Sequence, residues 1–492
     1  MKRLRQWSVV CFGLVAAGMT PAGDPPPAAK SGGEKWSVDR SLTVTPRGEP
    51  EPALKYRLLP LSSELREGNA VPIYLRLNFE QTDEARKYWT KTPEKWNELP
   101  LDKLPLAEAR KFLEKTGTRF LSQFDYAARR KSAEWGYTLE QPDPIGMLLP
   151  DMATMRNYSH MMILHARVQI ADGDFTGAAR SFETGFAFGR QVAESPFLIG
   201  GLVGVWVASR FADRVPEWIE RPDAPNLYWS LTALPRPLID LRKGMDLEYR
   251  VVEMQFPDLA DLDRPRSPAE WDAALKRFRT ELKRIDGLMS AVNEGHKPAA
   301  LNQPLVDPDE PAEKSKDLVA ARMFVATRTG KAPADVAAMP PAQVLLLYIA
   351  GIYADSRDDV FKLSYLPFPQ ANAREADAGR RVHEATTGEG ARLAAMFLPA
   401  LQKAMERQVW LDRRIAMLRT IEALRLHAAA HSGQLPKSLD EVTAVPVPLD
   451  PGTGKPFGYH LAGTTATLTS QISYGPAEFS GMRYRITIRA DR

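Results

Sequence analysis

At 492 residues, with 44% hydrophobic and 26% charged side chains, the chain has ordinary globular composition and exceeds what one hydrophobic core serves, so two or three domains are expected. The formal charge is +4, and removal of Lys2, Arg3 and Arg5 with an expected leader leaves +1, which argues against nucleic acid as the main partner. The single cysteine, Cys11, lies in that leader, so disulfides and thiol chemistry are excluded from the mature chain.

The leader spans Met1 to about Ala22: a basic start, an apolar run Trp7–Met19 and small residues around Thr20-Pro21-Ala22, the three zones of a secretory signal peptide. The run of ~13 residues falls short of the ~20 that a membrane helix needs, and an uncleaved N-terminal anchor is the alternative. Residues 23–52 are rich in Pro, Gly, Ser and charge, and are expected to form a flexible tether. Val71–Leu77 reads as a short strand or an extended entry into the core. Leu106, Ala109, Leu113, Phe120 and Phe124 keep helical spacing behind Pro105.

Tyr158–Val192 reads as a helical hairpin, with Gly173-Asp174-Phe175 at the turn and the small or aromatic Ala166, Ala178, Phe182 and Gly185 at its contact positions. On these residues it resembles a tetratricopeptide repeat, although Met162 and Gln169 replace the family's Trp and Tyr and no second copy follows. The resemblance implies a helical array, with ordinary helix packing preferred over a working peptide groove. Phe197–Ser209, with Gly200 and Gly204, and Val344–Ala354 are strongly apolar. A 13-residue helix rises only ~20 Å, so both are expected as buried helices rather than membrane spans.

Ser267-Pro268-Ala269-Glu270 has the cap, proline and acid of a helix start. Trp271, Leu275, Phe278, Leu282, Ile285 and Met289 then form a narrow apolar seam with Gly295 as its stop. Residues 297–316 hold four prolines and read as a linker. A long helix leads to Gln408 and beyond. There Trp410, Met417, Ile421, Leu424 and Ala428 make an apolar stripe, with Asp412, Arg419 and Glu422 on an expected solvent side.

Gly433 is a helix stop, Ser438 and Glu441 have capping-box spacing, and Asp450-Pro451-Gly452 is a turn before a strand near Phe457–Leu461. Thr465–Thr469 and Arg483–Arg489 follow as strands, the second with Tyr484, Ile486 and Ile488 on one face. Gly433, Pro436 and Leu439, then Asp450, Pro451, Pro456 and Tyr459, match the "G-x-x-P-x-x-L" and "D-P-x-x-x-P-x-x-Y" segments of type II secretion major pseudopilins. The stretch 408–461 resembles their globular half. The family's processed hydrophobic helix and calcium-ligating loop have no counterpart, so the resemblance implies the local fold and not pilus assembly. As a whole the chain looks like uncharacterised exported proteins of planctomycete-type bacteria.

The expected fold class is therefore mainly α: a multi-helix array of helical, tetratricopeptide-like hairpins with a small C-terminal α+β pseudopilin-like module. The expected boundaries are 1–22 signal peptide, 23–52 tether, 53–296 helical domain, 297–316 linker, 317–405 helical continuation and 406–492 long helix plus module.

Signatures of nucleophile elbows and zinc helices are absent. Gly452-Thr453-Gly454-Lys455 hints at a phosphate loop, but Leu449 and Pro456 stand where its first Gly and its Ser or Thr belong, so it reads as a turn. Of His160, His165, His296, His383, His427, His431 and His460, only His427 and His431 lie one helical turn apart. With no third ligand in sight they read as helix-end histidines rather than a metal pair. Asp258, Asp261 and Asp263, and Asp307, Asp309 and Glu310, are acid runs that could supply a carboxylate pair for glycoside hydrolysis, yet their prolines make them read as solvated loops. No catalytic, cofactor-binding or metal residue is assigned, and no cofactor is expected. The sequence points to a periplasmic or secreted interaction or scaffold protein. Its partner is another protein or peptide of the cell envelope, with no nucleic acid and no membrane span in the mature chain. The alternative is an envelope hydrolase with catalytic carboxylates from separate helices.

Overall fold

The computed structural model describes residues 36–79, 83–137, 143–147, 149–292, 304–374, 388–471 and 481–489. The expected leader, the tether up to residue 35, Gly295, the linker residues 297–303, His296 and His383 lie outside the described residues. The chain is mainly helical with a small C-terminal sheet. It divides into two compact units. The first takes its described residues from 137–149 and 245–405, the second from those up to 136, 150–244 and 406–492. The contiguous succession 53–296, 297–316 and 317–405 is thereby corrected: residues 143–149 belong with 245–405, because the chain returns to the first unit's core after the second has taken 150–244.

In the first unit, helix Pro268–Val292 begins with the expected box. The Ser267 amide donates to Glu270 Oε2 at 2.7 Å and the Glu270 amide to Ser267 Oγ at 3.4 Å. Trp271, Leu275, Phe278, Leu282 and Ile285 are all buried, so the seam is a core seam. Helix Pro341–Phe361 buries Val344, Leu345, Leu346, Ile349 and Tyr353. The linker expectation fails over its described part. Ala312 is buried, and the Arg279 guanidinium donates to the Glu310 carbonyl at 2.8 Å while pairing with Glu389 at 3.0 Å, which ties this segment down.

In the second unit, the tether expectation fails over Val38–Val44, which is strand β1. It joins β4 (Gly458–Ala462), β5 (Thr465–Gln471) and β6 (Gly481–Ile488) in the order β1-β6-β5-β4. β1 runs parallel to β6 with Val38 opposite Met482 and Val44 opposite Ile488, burying Leu42 and Val44 beside Tyr484 and Ile486. Short strands β2 (Arg66–Asn69) and β3 (Arg130–Ser132) form a second pair. Val71–Leu77 is helical, within Val71–Phe79, and not extended. Asn69 Oδ1 accepts the Val71 amide at 3.0 Å, Pro72 fits the first turn, and Val71, Tyr74 and Leu77 recur at helical spacing in the core.

The expected hairpin consists of helices Pro150–Asp172 and Phe175–Ala193. Gly173 turns the chain at φ 75°, and Asp174 caps the second helix by accepting the Gly177 amide at 2.9 Å. Helix Leu198–Ala212 lies buried against it. A Cβ on Gly204 would sit 2.4 Å from the Gly189 carbonyl oxygen, so the glycine permits this backbone approach. Among the described residues no helix is long and apolar enough to cross a membrane.

Helix Glu389–Ala430 supplies residues to both units, up to 405 to the first and from 406 to the second. Its stripe Trp410, Met417, Ile421, Leu424 and Ala428 is buried as expected. The solvent side is not, and here the expectation is corrected: Arg419 and Glu422 are buried too. Glu422 accepts the Leu227 amide at 2.9 Å and pairs with Arg425 at 2.7 Å, and Arg425 donates to the Thr45 and Ala224 carbonyls. Partners on neighbouring segments let charged groups enter the interior. Gly433, at φ 81°, ends the helix region. The Ser438 cap is not formed: Glu441 Oε2 instead accepts the Lys437 amide at 2.7 Å.

Candidate functional site

The Gly452–Lys455 segment is a turn organised by Asp450. Asp450 Oδ1 accepts the Gly452 amide at 2.8 Å and its carbonyl accepts the Gly454 amide at 2.7 Å, so these donors do not face a phosphate. His427 and His431 stack, centroids 3.9 Å apart and planes within 10°, and His431 Nδ1 donates to the His427 carbonyl at 2.8 Å. Parallel rings do not converge on one ion. Among the described residues no group of three His, Cys, Asp or Glu could hold a metal. His160 is buried, and burial with the Arg210 guanidinium nearby pushes its imidazole down to about 3. His165 is pushed down by burial and lies 3.1 Å from the Ser181 hydroxyl.

Asp258 and Asp261 line a broad groove of 1110 Å³ in the first unit, together with Asp143 and Glu281. Every one of these acids faces an arginine. Asp258 pairs with Arg277 at 2.7 Å, Asp261 with Arg266 at 3.7 Å, Glu281 with Arg284 at 2.6 Å and Asp143 with Arg284 at 2.9 Å. Asp309 pairs with Lys276, and Asp307 Oδ1 accepts the Asp309 amide. Each of these carboxylates is engaged by a cation or a backbone amide. Asp263 is exposed.

The second unit holds a different site, a cleft of 410 Å³. One wall is a face of the long helix, where Asp412, Ile415, Ala416 and Arg419 fall at intervals of three, one and three. A second wall is the extended run Pro446, Val447, Pro448 and Leu449 with Pro451, which cannot form helix and presents its side chains to the cleft. The third is Leu231, Leu234, Pro235 and Arg236.

Two anchors hold the proline wall. The Tyr228 hydroxyl donates to the Pro446 carbonyl, and the buried Asp450 pairs with Arg413 at 3.3 Å and accepts from the Ser470 hydroxyl.

Two cations converge on Thr232. Arg419 Nε donates to Thr232 Oγ1 at 3.0 Å, and Arg236 donates to the Thr232 carbonyl at 3.4 Å. Neither makes an ion pair with a carboxylate among the described residues. Arg419 lies over the Tyr228 ring at 5.5 Å, and burial, with Arg236 close by, pushes its guanidinium down.

Asp412 Oδ1 accepts the Leu238 amide at 3.2 Å, yet burial outweighs this bond and Arg236, raising the carboxyl to about 7. The cleft is therefore apolar, with two guanidiniums and one carboxyl that is easily kept neutral. The sequence signal for it was partial. Asp412 and Arg419 were legible as one polar helix side, whereas Arg236 and the proline run carried no mark of belonging beside them. No family model matches the chain, and no curated protein or solved structure matches it either.

Proposed function

We propose that the chain is an exported interaction or scaffold protein of the cell envelope, and that the cleft of the second unit receives a short segment of another envelope protein. Its helical array is read as tetratricopeptide-like and its C-terminal module as pseudopilin-like, on the sequence resemblances above. The observation that carries the reading is the lining of the cleft: proline and leucine walls around a few fixed polar groups, which suits a peptide.

Two-carboxylate hydrolysis needs a second acid facing the first, and Asp412 is the sole carboxyl on this lining. The alternative envelope hydrolase therefore finds no support in the cleft.

Selection of displayed random peptides on the purified protein tests the reading. Enriched peptides should bind the wild type and bind Leu449→Asp about tenfold or more weakly, since Leu449 is exposed on the wall and its charge leaves the core untouched. Failure to enrich any peptide, or equal binding to both proteins, would sink the proposal. Export is tested separately by fractionating the native host and weighing the protein: residues 1–20 should be missing from an envelope or secreted form.

A further inference from the structure

Charge complementarity narrows what the cleft can hold. Arg236 and Arg419 are fixed on one residue, Thr232, without a carboxylate partner among the described residues, beside apolar walls. Two guanidiniums that close together repel each other, and an incoming anion relieves that repulsion while accepting forked hydrogen bonds. Inorganic phosphate would satisfy the cations and leave Leu231, Leu234, Ile415 and Leu449 uncovered. A ligand with an anionic head and an apolar body uses both parts of the lining. The space of 410 Å³ is near the lower end for ligand pockets and suits a chain end better than a segment running through.

We infer that the cleft captures the C-terminal carboxylate of a partner chain between Arg236 and Arg419, with the partner's last apolar side chains against the proline wall. This rests on the peptide-docking reading of the cleft. Capture is proton-linked. The charged group acting on Asp412 is Arg236, from the segment after helix Tyr228–Thr232, and Arg419, seven residues further along the helix of Asp412, is the other cation of the lining. The proline wall adds no ionisable side chain. An ionised Asp412 would repel the incoming carboxylate and compete for Arg236. A protonated Asp412 does neither. With its carboxyl raised to about 7, the receptive form dominates below neutrality and declines above it.

Calorimetric titration of the full-length mature protein with acetyl-Leu-Pro-Leu as the free acid tests this. Its carboxamide, acetyl-Leu-Glu-Leu-amide and inorganic phosphate serve as comparison probes. If only the protonated form binds, affinity for the free acid should fall by about tenfold from about pH 6 to about pH 8. The three comparison probes should bind about tenfold or more weakly than the free acid at the lower pH. Arg419→Met and the exposed Arg236→Gln should each erase the preference for acid over amide, with circular dichroism confirming that they fold. Asp412→Asn should hold the low-pH affinity at both values.

Equal binding of acid and amide would overturn the inference while leaving peptide docking in place. Tighter binding of the Glu peptide, or phosphate binding as tight as the free acid, would also overturn it. So would stronger binding at the higher pH, or an unaltered preference in Arg236→Gln. If display-selected peptides bind and the free acid does not, the inference falls alone. If neither binds, both readings fall.

Discussion

Asp412 shows how one half-buried group couples stability to pH. Its folded carboxyl is raised to about 7 from an ordinary 3.8, so the protonated form contributes stability that is full below the ordinary value and is lost as pH rises through about 7. Asp412→Asn removes that loss. The variant should gain roughly 1–3 kcal/mol over the wild type between about pH 5 and about pH 8, measured by urea unfolding at each pH. A constant difference across the range would show that the carboxyl is solvated. Asp450 is the opposite case, buried and paired with Arg413. Asp450→Ala removes the buried carboxylate that pairs with Arg413 and should cost ~3–5 kcal/mol by the same measurement, and it should weaken peptide binding because the proline wall loses an anchor. A cost below ~0.5 kcal/mol would mean that Arg413 finds another partner. Residue-scale signals were read unevenly from the sequence for a plain reason. Ser267–Glu270 and Ser438–Glu441 share one spacing, yet only the first forms a box, because the Lys437 amide takes the Glu441 carboxylate in the second.

At the scale of elements, the apolar seam of helix Pro268–Val292 was legible because its period is intrinsic to the chain. Leu275 is 3% exposed, and Leu275→Ala should cost ~2–5 kcal/mol in denaturant unfolding. A change under ~0.5 kcal/mol would place the seam at the surface. The close contact of Gly204 with the Gly189 carbonyl gives a second check. Gly204→Ala puts its Cβ into backbone that cannot yield cheaply, and the strain should lower stability by ~1–3 kcal/mol. An unchanged unfolding midpoint would mean the two helices can separate without loss. The solvent side of the long helix was misread for a complementary reason. Arg419 and Glu422 look like surface charge in isolation, and beside the local Glu422–Arg425 pair it is segments remote in sequence, at Thr232, Leu227, Thr45 and Ala224, that supply the partners burying this side. The cleft was hidden by the same remoteness, since two of its three walls come from 231–236 and 446–451.

For the whole molecule, β6 was legible from its alternation, but the sheet's far edge was not. β1 has only Leu42 and Val44 as buried apolar positions, alternating with the exposed Ser41 and Thr43, inside a region whose composition reads as tether. That short alternation was the available signal. Leu42→Ala combined with Val44→Ala should speed hydrogen exchange at the amides of 482–488 while those of helix Leu198–Ala212 stay protected. Unchanged exchange would show that β6 is held without β1. The pairing also sets a schedule for the chain's synthesis. Arg483 and Asp39, joined by an ion pair, are 444 residues apart, so at ~5–20 residues per second β1 waits roughly 20–90 s on the ribosome for its parallel neighbour to be made. A nascent chain therefore carries an unfinished sheet until β6 has been made, and products truncated before β6 should be cleared by proteases rather than accumulate.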